Sequence, residues 1–169
     1  DFHENQHFYS KNKSSLIYNG CSDKSYYPLK NLRSDFRIRN KIKNSDIIIG
    51  YAGRYAKQKN ITSMLIAFSK ITKNYKNVYL YMVGRDINPQ NKELIVCINN
   101  LKVKNKVYLL NEQKNLLKFY NGIDFLLLTS HSESFPNVVA ESMLCRTPVL
   151  SSNAGCAKKI INDSGFVMT

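Results

Sequence analysis

The 169 residues hold only four cysteines, at 21, 97, 145 and 156, and no Cys-x-x-Cys pair. That spacing argues against a disulfide framework and against zinc, and fits a reduced cytosolic compartment. No apolar run reaches the roughly 20 residues that a membrane-spanning helix needs. The amino end, Asp1-Phe-His-Glu-Asn-Gln6, is polar, has no initiator Met and lacks the layout of a signal peptide. The expectation is a fragment or a processed chain. Neither Asp86 nor Asp124 belongs to an Asp-x-Asp pair, and no internal repeat or low-complexity linker interrupts the chain. Acidic residues are scarce: 12 Asp and Glu stand against 25 Lys and Arg, for a net charge of +13. Two readings of that imbalance stay open. One is attraction to an acidic partner, such as membrane phospholipid, a nucleoside diphosphate or nucleic acid. The other is drift in an A/T-rich genome, since Lys, Asn and Ile are abundant throughout and the lysines are dispersed.

What is present is a regular alternation. The length suits one domain with a real core. Residues 1–13 read as a tail or the end of a preceding element, and residues 14–169 as the domain. Ser14–Tyr18 predicts a short strand ended by the turn dipeptide Asn19-Gly20. Leu32 to Ile42 carries apolar residues at 32, 36, 38 and 42, an imperfect helical face. From residue 47 the pattern sharpens. Strands are predicted at 47–52, 78–83, 106–110, 124–129, 147–151 and 166–168, and helices at 60–73, 92–101, 116–120, 137–145 and 157–161. The continuously apolar Ile47–Ala52 suits a parallel strand covered on both faces. Strands alternating with helices at this spacing predict an α/β fold with a doubly wound parallel sheet.

One segment carries the most chemistry. In His131-Ser-Glu133-Ser134-Phe135-Pro136-Asn137-Val138-Val-Ala-Glu141, two glutamates flank a predicted helix start, between two predicted strands. In open α/β sheets, ligands bind outside the carboxyl ends of the strands, where this polar loop falls. Pro136 suits a first helical turn because its missing N–H has no helical partner there. The N–H groups beyond it favour an anion such as phosphate. A second loop, Gly53-Arg54-Tyr-Ala-Lys57-Gln-Lys59, follows the first buried strand. Its glycine permits close approach to the backbone, and Arg54 and Lys59 offer a planar fork and a point charge.

These segments, taken together, resemble family 4 of the retaining glycosyltransferases, which have the GT-B fold. Glu133-x7-Glu141 with Ser-Phe-Pro-Asn-Val inside it is similar to the family's donor-binding signature, and Gly53-Arg54-x4-Lys59 to its Gly-Arg-x4-Lys loop. Val83-Gly84, Val107–Leu110, Cys145-Arg146-Thr147-Pro148-Val149 and Ile17-Tyr18-Asn19-Gly20 with Tyr27-Pro28 match further motifs in order, from about Ser15 to Val167. The resemblance implies a Rossmann-like half of a GT-B fold, the carboxyl-terminal, nucleotide-sugar-binding domain, truncated at both ends and missing its amino-terminal partner domain. It implies a hexosyltransferase-type reaction from a UDP- or GDP-sugar to a glycan or lipid-linked acceptor, as in polysaccharide biosynthesis, with no added cofactor and no metal. Arg54 and Lys59 would stabilise the departing diphosphate, Glu133 would lie beside the donor sugar, and Glu141 would accept the ribose hydroxyls. Gly53, Gly84, Ser134, Phe135, Pro136, Asn137 and Val138 would line the donor. Main-chain groups near Gly84 and at Leu109, Leu110 and Asn111 would meet the base. Where the family has glycine, this chain has Asn60, Leu110-Asn111 and Arg146. The isolated chain is expected to be inactive, and a cytoplasmic position, with the inner membrane face as a candidate partner surface, follows.

Plainer readings stand beside these. Lys57 and Lys59 suit solvated loop charges, Glu141 an exposed helix-face acid, Glu133 a helix-entry acid favouring the positive dipole end. His131 suits a surface hydrogen-bonding residue and Asp124 a turn cap. Two other functions compete. A GT-B-type nucleotide-sugar 2-epimerase would share the plan but lack the linked Ser-Phe-Pro-Asn-Val and Gly-Arg-x4-Lys pattern. A basic nucleic-acid binder would need a basic stripe with interleaved aromatics, whereas the tyrosines fall mostly on strand and helix faces, so nucleic acid is not an expected partner.

Overall fold

β-Branched and aromatic residues in short runs, separated by amphipathic segments, fold here into one sheet with helices on both faces. The computed structural model describes Ser15 and residues 17–168. The expectations for residues 1–13, Ser14 and Leu16 lie outside the described residues. The order is α1 (Lys30–Arg39), β1 (Ile47–Ala52), a 3₁₀ turn (Lys57–Lys59), α2 (Ile61–Asn74), β2 (Val78–Val83), α3 (Lys92–Asn100), a second 3₁₀ turn (Lys104–Lys106), β3 (Val107–Leu109), α4 (Leu117–Gly122), β4 (Phe125–Leu128), α5 (Asn137–Leu144), β5 (Val149–Ser152), α6 (Ala157–Ile161) and β6 (Phe166–Met168). All five strand pairings are parallel, in the order β3-β2-β1-β4-β5-β6. The chain works outward from β1 to β3 and then returns to lay β4 on the other side of β1. The switch point between β1 and β4 is where a doubly wound sheet opens a crevice.

The strand period of two divides the core between the faces. From β1, Ile48 and Ala52 join Phe119, Tyr120, Leu126 and Val139 under α1, α4, α5 and α6. Ile49 and Tyr51 join Met64, Leu65, Phe68 and Leu94 under α2 and α3. Burial of one such side chain contributes about 1.5–3 kcal/mol, so neither layer is dispensable. Of the helical stripe expected in α2, Ile61, Met64, Leu65 and Phe68 are buried, while Ile71, near the end of the helix, is exposed. α3 starts where the Asn91 side chain accepts from the Leu94 N–H at 3.1 Å.

Two expectations need correction. Ser15, Ile17 and Tyr18 form no strand. Ile17 and Tyr18 are exposed, so there is no sheet face for a strand here to cover; the Tyr18 ring instead lies 6.3 Å from that of Phe135. In α1 the predicted apolar face fails at Ile38, which is 75% exposed, while Arg37 is buried. The reason is polar. Arg37 donates to the Lys43 and Asp46 carbonyls at 2.6 and 2.7 Å, and Asp124 receives Arg33 at 2.6 Å, Arg37 at 3.4 Å and the Ile48 N–H at 2.7 Å. Asp124 thus ties α1 to the start of β1, where a turn cap was one reading.

Candidate functional site

Loops leaving the carboxyl ends of β1, β2 and β4 meet at the switch point. The Gly53 N–H donates to Val83 O and the Tyr55 N–H to Arg85 O, both at 2.9 Å, so the β1 and β2 loops continue as a pair past the sheet. Gly84 has φ +143°, and a Cβ there would come within 2.1 Å of Gly53 O. Only glycine allows that approach. The 3₁₀ turn is clamped to the end of β4: His131 N–H donates to Gln58 O at 2.8 Å, and Thr129 Oγ1 to Lys59 O at 3.0 Å. Asn60, where the resembled family has glycine, takes the left-handed conformation (φ 52°) and makes no side-chain cap.

These loops and the start of α5 enclose an open cleft of about 480 Å³. Of the residues singled out from sequence, Gly53, Arg54, Lys59, Gly84, Glu133 and Val138 line it. Lys59 Nζ lies 2.5 Å from Glu133 Oε1, and the same oxygen accepts from Ser130 Oγ at 2.6 Å. Both partners are largely withdrawn from water, with side chains 14% and 9% exposed. The pair therefore sets both orientations at once. Arg54 and Arg85 are exposed on the same cleft, and among the described residues their side chains make no ion pair or hydrogen bond. α5 begins after Pro136 with no acidic residue in its first turn and no side-chain cap. Its free N–H groups and dipole add positive potential.

Glu141, about one turn along α5, is not among the residues lining this cleft. Glu141 Oε2 accepts from Tyr120 Oη at 2.7 Å. Burial, and then the Glu141 charge, push the Tyr120 hydroxyl far up, and the same two causes push Tyr26 up to about 12. Both phenols stay protonated, and Tyr120 donates to the carboxylate. Burial raises the neighbouring Cys145 thiol to about 11, with Glu141 adding to the rise against a lowering bond from the Tyr27 backbone. Leu110 and Asn111 are also absent from the lining. Their main-chain groups are already occupied: Leu110 N–H donates to Met82 O and Asn111 N–H to Ile87 O, while Leu110 O receives Gln113 Nε2 and Asn111 O receives the Gly84 N–H.

Ser134, Phe135, Pro136 and Asn137 form the turn into α5, outside the lining. Asn137 Oδ1 accepts from Asn19 Nδ2 at 3.2 Å, so the Asn19-Gly20 segment docks on this turn. The turn is held from behind by Gly155, at φ +56°, whose absent Cβ would fall 2.0 Å from Glu133 O. Gly155 was not found from sequence, nor were Gln58, Glu112, Gln113 and Leu116 of the lining or Ser130 behind Glu133. Arg85, expected beside Gly84 only for its main chain, lines the cleft as well. His131 is exposed and lies on a separate cleft with Tyr55, Lys57 and Glu93. Among the described residues, no three His, Cys, Asp or Glu side chains gather as a metal site, and no helix is long and apolar enough to cross a membrane.

A doubly wound domain with a cationic, glycine-floored cleft at its switch point is of the nucleotide-binding kind. Residues 33–168 match the family described as Glycosyl transferases group 1, and the chain belongs to that family. It is 34% identical over 148 residues to MJ1059, an uncharacterised glycosyltransferase of Methanocaldococcus jannaschii, covering 87% of this chain and 36% of that protein. It is 28% identical over 130 residues to CapM, a capsular polysaccharide biosynthesis glycosyltransferase of Staphylococcus aureus, covering 76% and 34%. The structure of Anabaena HepE in complex with UDP-glucose is similar with a TM-score of 0.81 at 25% identity, over 92% of this chain and 43% of that one. The chain thus spans little more than a third of the length of the curated relatives it matches. The fold is α/β and Rossmann-like, shared with GT-B glycosyltransferases of whose chains it covers about half.

Proposed function

We propose that this chain is the carboxyl-terminal, donor-binding domain of a retaining glycosyltransferase that moves a sugar from a nucleoside diphosphate sugar to a glycan or lipid-linked hydroxyl, in polysaccharide assembly on the cytoplasmic side of a membrane. The observation that carries the reading is the meeting of Arg54, Lys59, Gly84, Glu133 and the start of α5 around one cleft in a chain of this family. HepE was solved with UDP-glucose, and CapM is named for capsular polysaccharide biosynthesis; both support the reading.

Arg54, Lys59 and the first N–H groups of α5 stabilise the negative charge that grows on the departing diphosphate. Groups fixed in place before the reaction do this best, since they need no reorganisation. Glu133, aligned by Lys59 and Ser130, holds the donor sugar, and Glu141, aligned by Tyr120, accepts the ribose hydroxyls. The cationic groups supply the stabilisation that a metal would otherwise give, so transfer by the whole enzyme proceeds without added divalent metal. The acceptor is held by a further domain facing this cleft.

Calorimetry tests the assignment. Lys59→Ala and Glu141→Ala each remove a charged hydrogen-bonding group, worth about 1.5–3 kcal/mol, and weaken nucleoside diphosphate binding roughly ten- to hundred-fold while leaving the domain folded. Unchanged affinity in both variants would remove the assigned roles.

A further inference from the structure

We propose that the nucleotide read by this cleft is guanosine diphosphate, with Glu112 as the residue that selects the base. The inference rests on the donor-site reading above and goes on to fix the substrate class within it. With the diphosphate beside Arg54, Lys59 and the start of α5, the rest of the cleft runs over Gly84 toward the β3 side of the sheet, where Glu112, Gln113 and Leu116 complete the lining. The base therefore lies there, with its face against Leu116 and its edge toward the polar pair.

That edge is read by side chains. The Leu110 and Asn111 N–H groups and carbonyls, the main-chain groups that the resemblance assigns to the base, already have partners within the protein. Gln113 donates its amide nitrogen to Leu110 O at 2.9 Å, which leaves its side-chain carbonyl as an acceptor. Glu112 is exposed, and among the described residues it forms no ion pair or side-chain hydrogen bond. An ionised carboxylate only accepts, through two oxygens side by side. The base that matches presents two adjacent donors. Guanine does, with N1–H beside its 2-amino group, and Arg85 on the adjoining loop supplies a donor for O6. Uracil presents acceptor, donor, acceptor, so a carboxylate meeting its N3–H also faces a carbonyl lone pair. Adenine and cytosine place an acceptor beside their single amino group. A bidentate contact to a charged group is strong and directional, and a site built around such a contact discriminates against bases that cannot make it.

The test is calorimetric titration of this chain with GDP, UDP, ADP and CDP, repeated for Glu112→Gln and Lys59→Ala. Expected is a preference for GDP over the other three of about tenfold or more, the effect of one charged hydrogen-bonded contact. Glu112→Gln should erase the preference by weakening GDP alone, and Lys59→Ala should weaken all four alike. If UDP, the ligand type seen in HepE, binds as tightly as GDP and both weaken on Lys59→Ala, the donor site stands and the guanine inference falls. An equal loss for all four on Glu112→Gln also overturns it. If none of the four binds, the donor-site reading fails and this inference with it.

Discussion

At the scale of single residues, the backbone bears on a position where the resembled family has glycine. Arg146 has φ 59°. It follows the last turn of α5, where the Arg146 N–H donates to Met143 O at 2.9 Å and the Thr147 N–H to Ser142 O at 3.0 Å. This is a Schellman ending, a position that favours glycine. An L-residue held left-handed costs roughly 1–2 kcal/mol, partly offset because arginine loses less freedom than glycine on folding. Arg146→Gly should therefore stabilise the domain by about 0.5–1 kcal/mol, seen as a higher urea midpoint at unchanged m-value. Tyr26 gives a second prediction. Its hydroxyl is raised from 10.0 to about 12 by burial and by Glu141, so the fold favours the neutral phenol. The stabilisation is complete below about pH 10 and is lost as pH rises toward 12. Absorbance titration should show Tyr26 and Tyr120 among the last tyrosines to ionise, and Tyr26→Phe with Tyr120→Phe should flatten the fall in stability above pH 10. Arg146 was marked in the sequence because the resembled family has glycine there, and the backbone shows the positive φ that makes the exchange costly. The Tyr120–Glu141 bond was not, since nothing local ties residue 120 to residue 141.

Among elements, legibility followed the range of the interaction. The strands and helices from Ile47 onward were readable because periods of 2 and 3.6 are local. The ends were less so: β4 and β5 are Phe125–Leu128 and Val149–Ser152, shifted from the predicted bounds because the parallel register, not local propensity, decides which residues pair. α1 misled because Arg37 is drawn inward by polar partners, the Lys43 and Asp46 carbonyls beyond the helix and Asp124 just before β4, 87 positions away. The cleft followed suit. Residues at strand ends, such as Gly53, Gly84 and Glu133, were findable, while Gly155 was hidden because its role is to admit another loop's backbone. That role is testable. Gly155→Ala adds left-handed strain and puts a Cβ on Glu133 O, so it should destabilise by about 1–3 kcal/mol. It should also weaken nucleoside diphosphate binding by shifting Glu133 away from Lys59. A variant as stable as wild type, with unchanged affinity, would show that the β5 turn does not support the site.

For the whole molecule, the proposed donor-domain reading makes a prediction about what this chain can do alone. The chain covers 43% of HepE and about a third of its curated relatives, and every cationic group assigned to the diphosphate lies on it. Binding and transfer should therefore separate. Binding needs only the cleft, and the net charge of +13 should make nucleoside diphosphate affinity fall as salt screens it. Transfer needs donor and acceptor held in near-attack geometry, a term that supplies roughly 7–11 kcal/mol of the barrier and that no single lobe can provide. The expected result is measurable nucleoside diphosphate binding by this chain with no sugar transfer to any acceptor. Transfer should return when the complementary lobe is supplied, with anomeric configuration retained and no loss on chelation. Sugar transfer by this chain alone would place the acceptor site within residues 1–169. Loss of activity on chelation in the reconstituted enzyme would mean that Arg54, Lys59 and the start of α5 do not by themselves carry the charge of the leaving group.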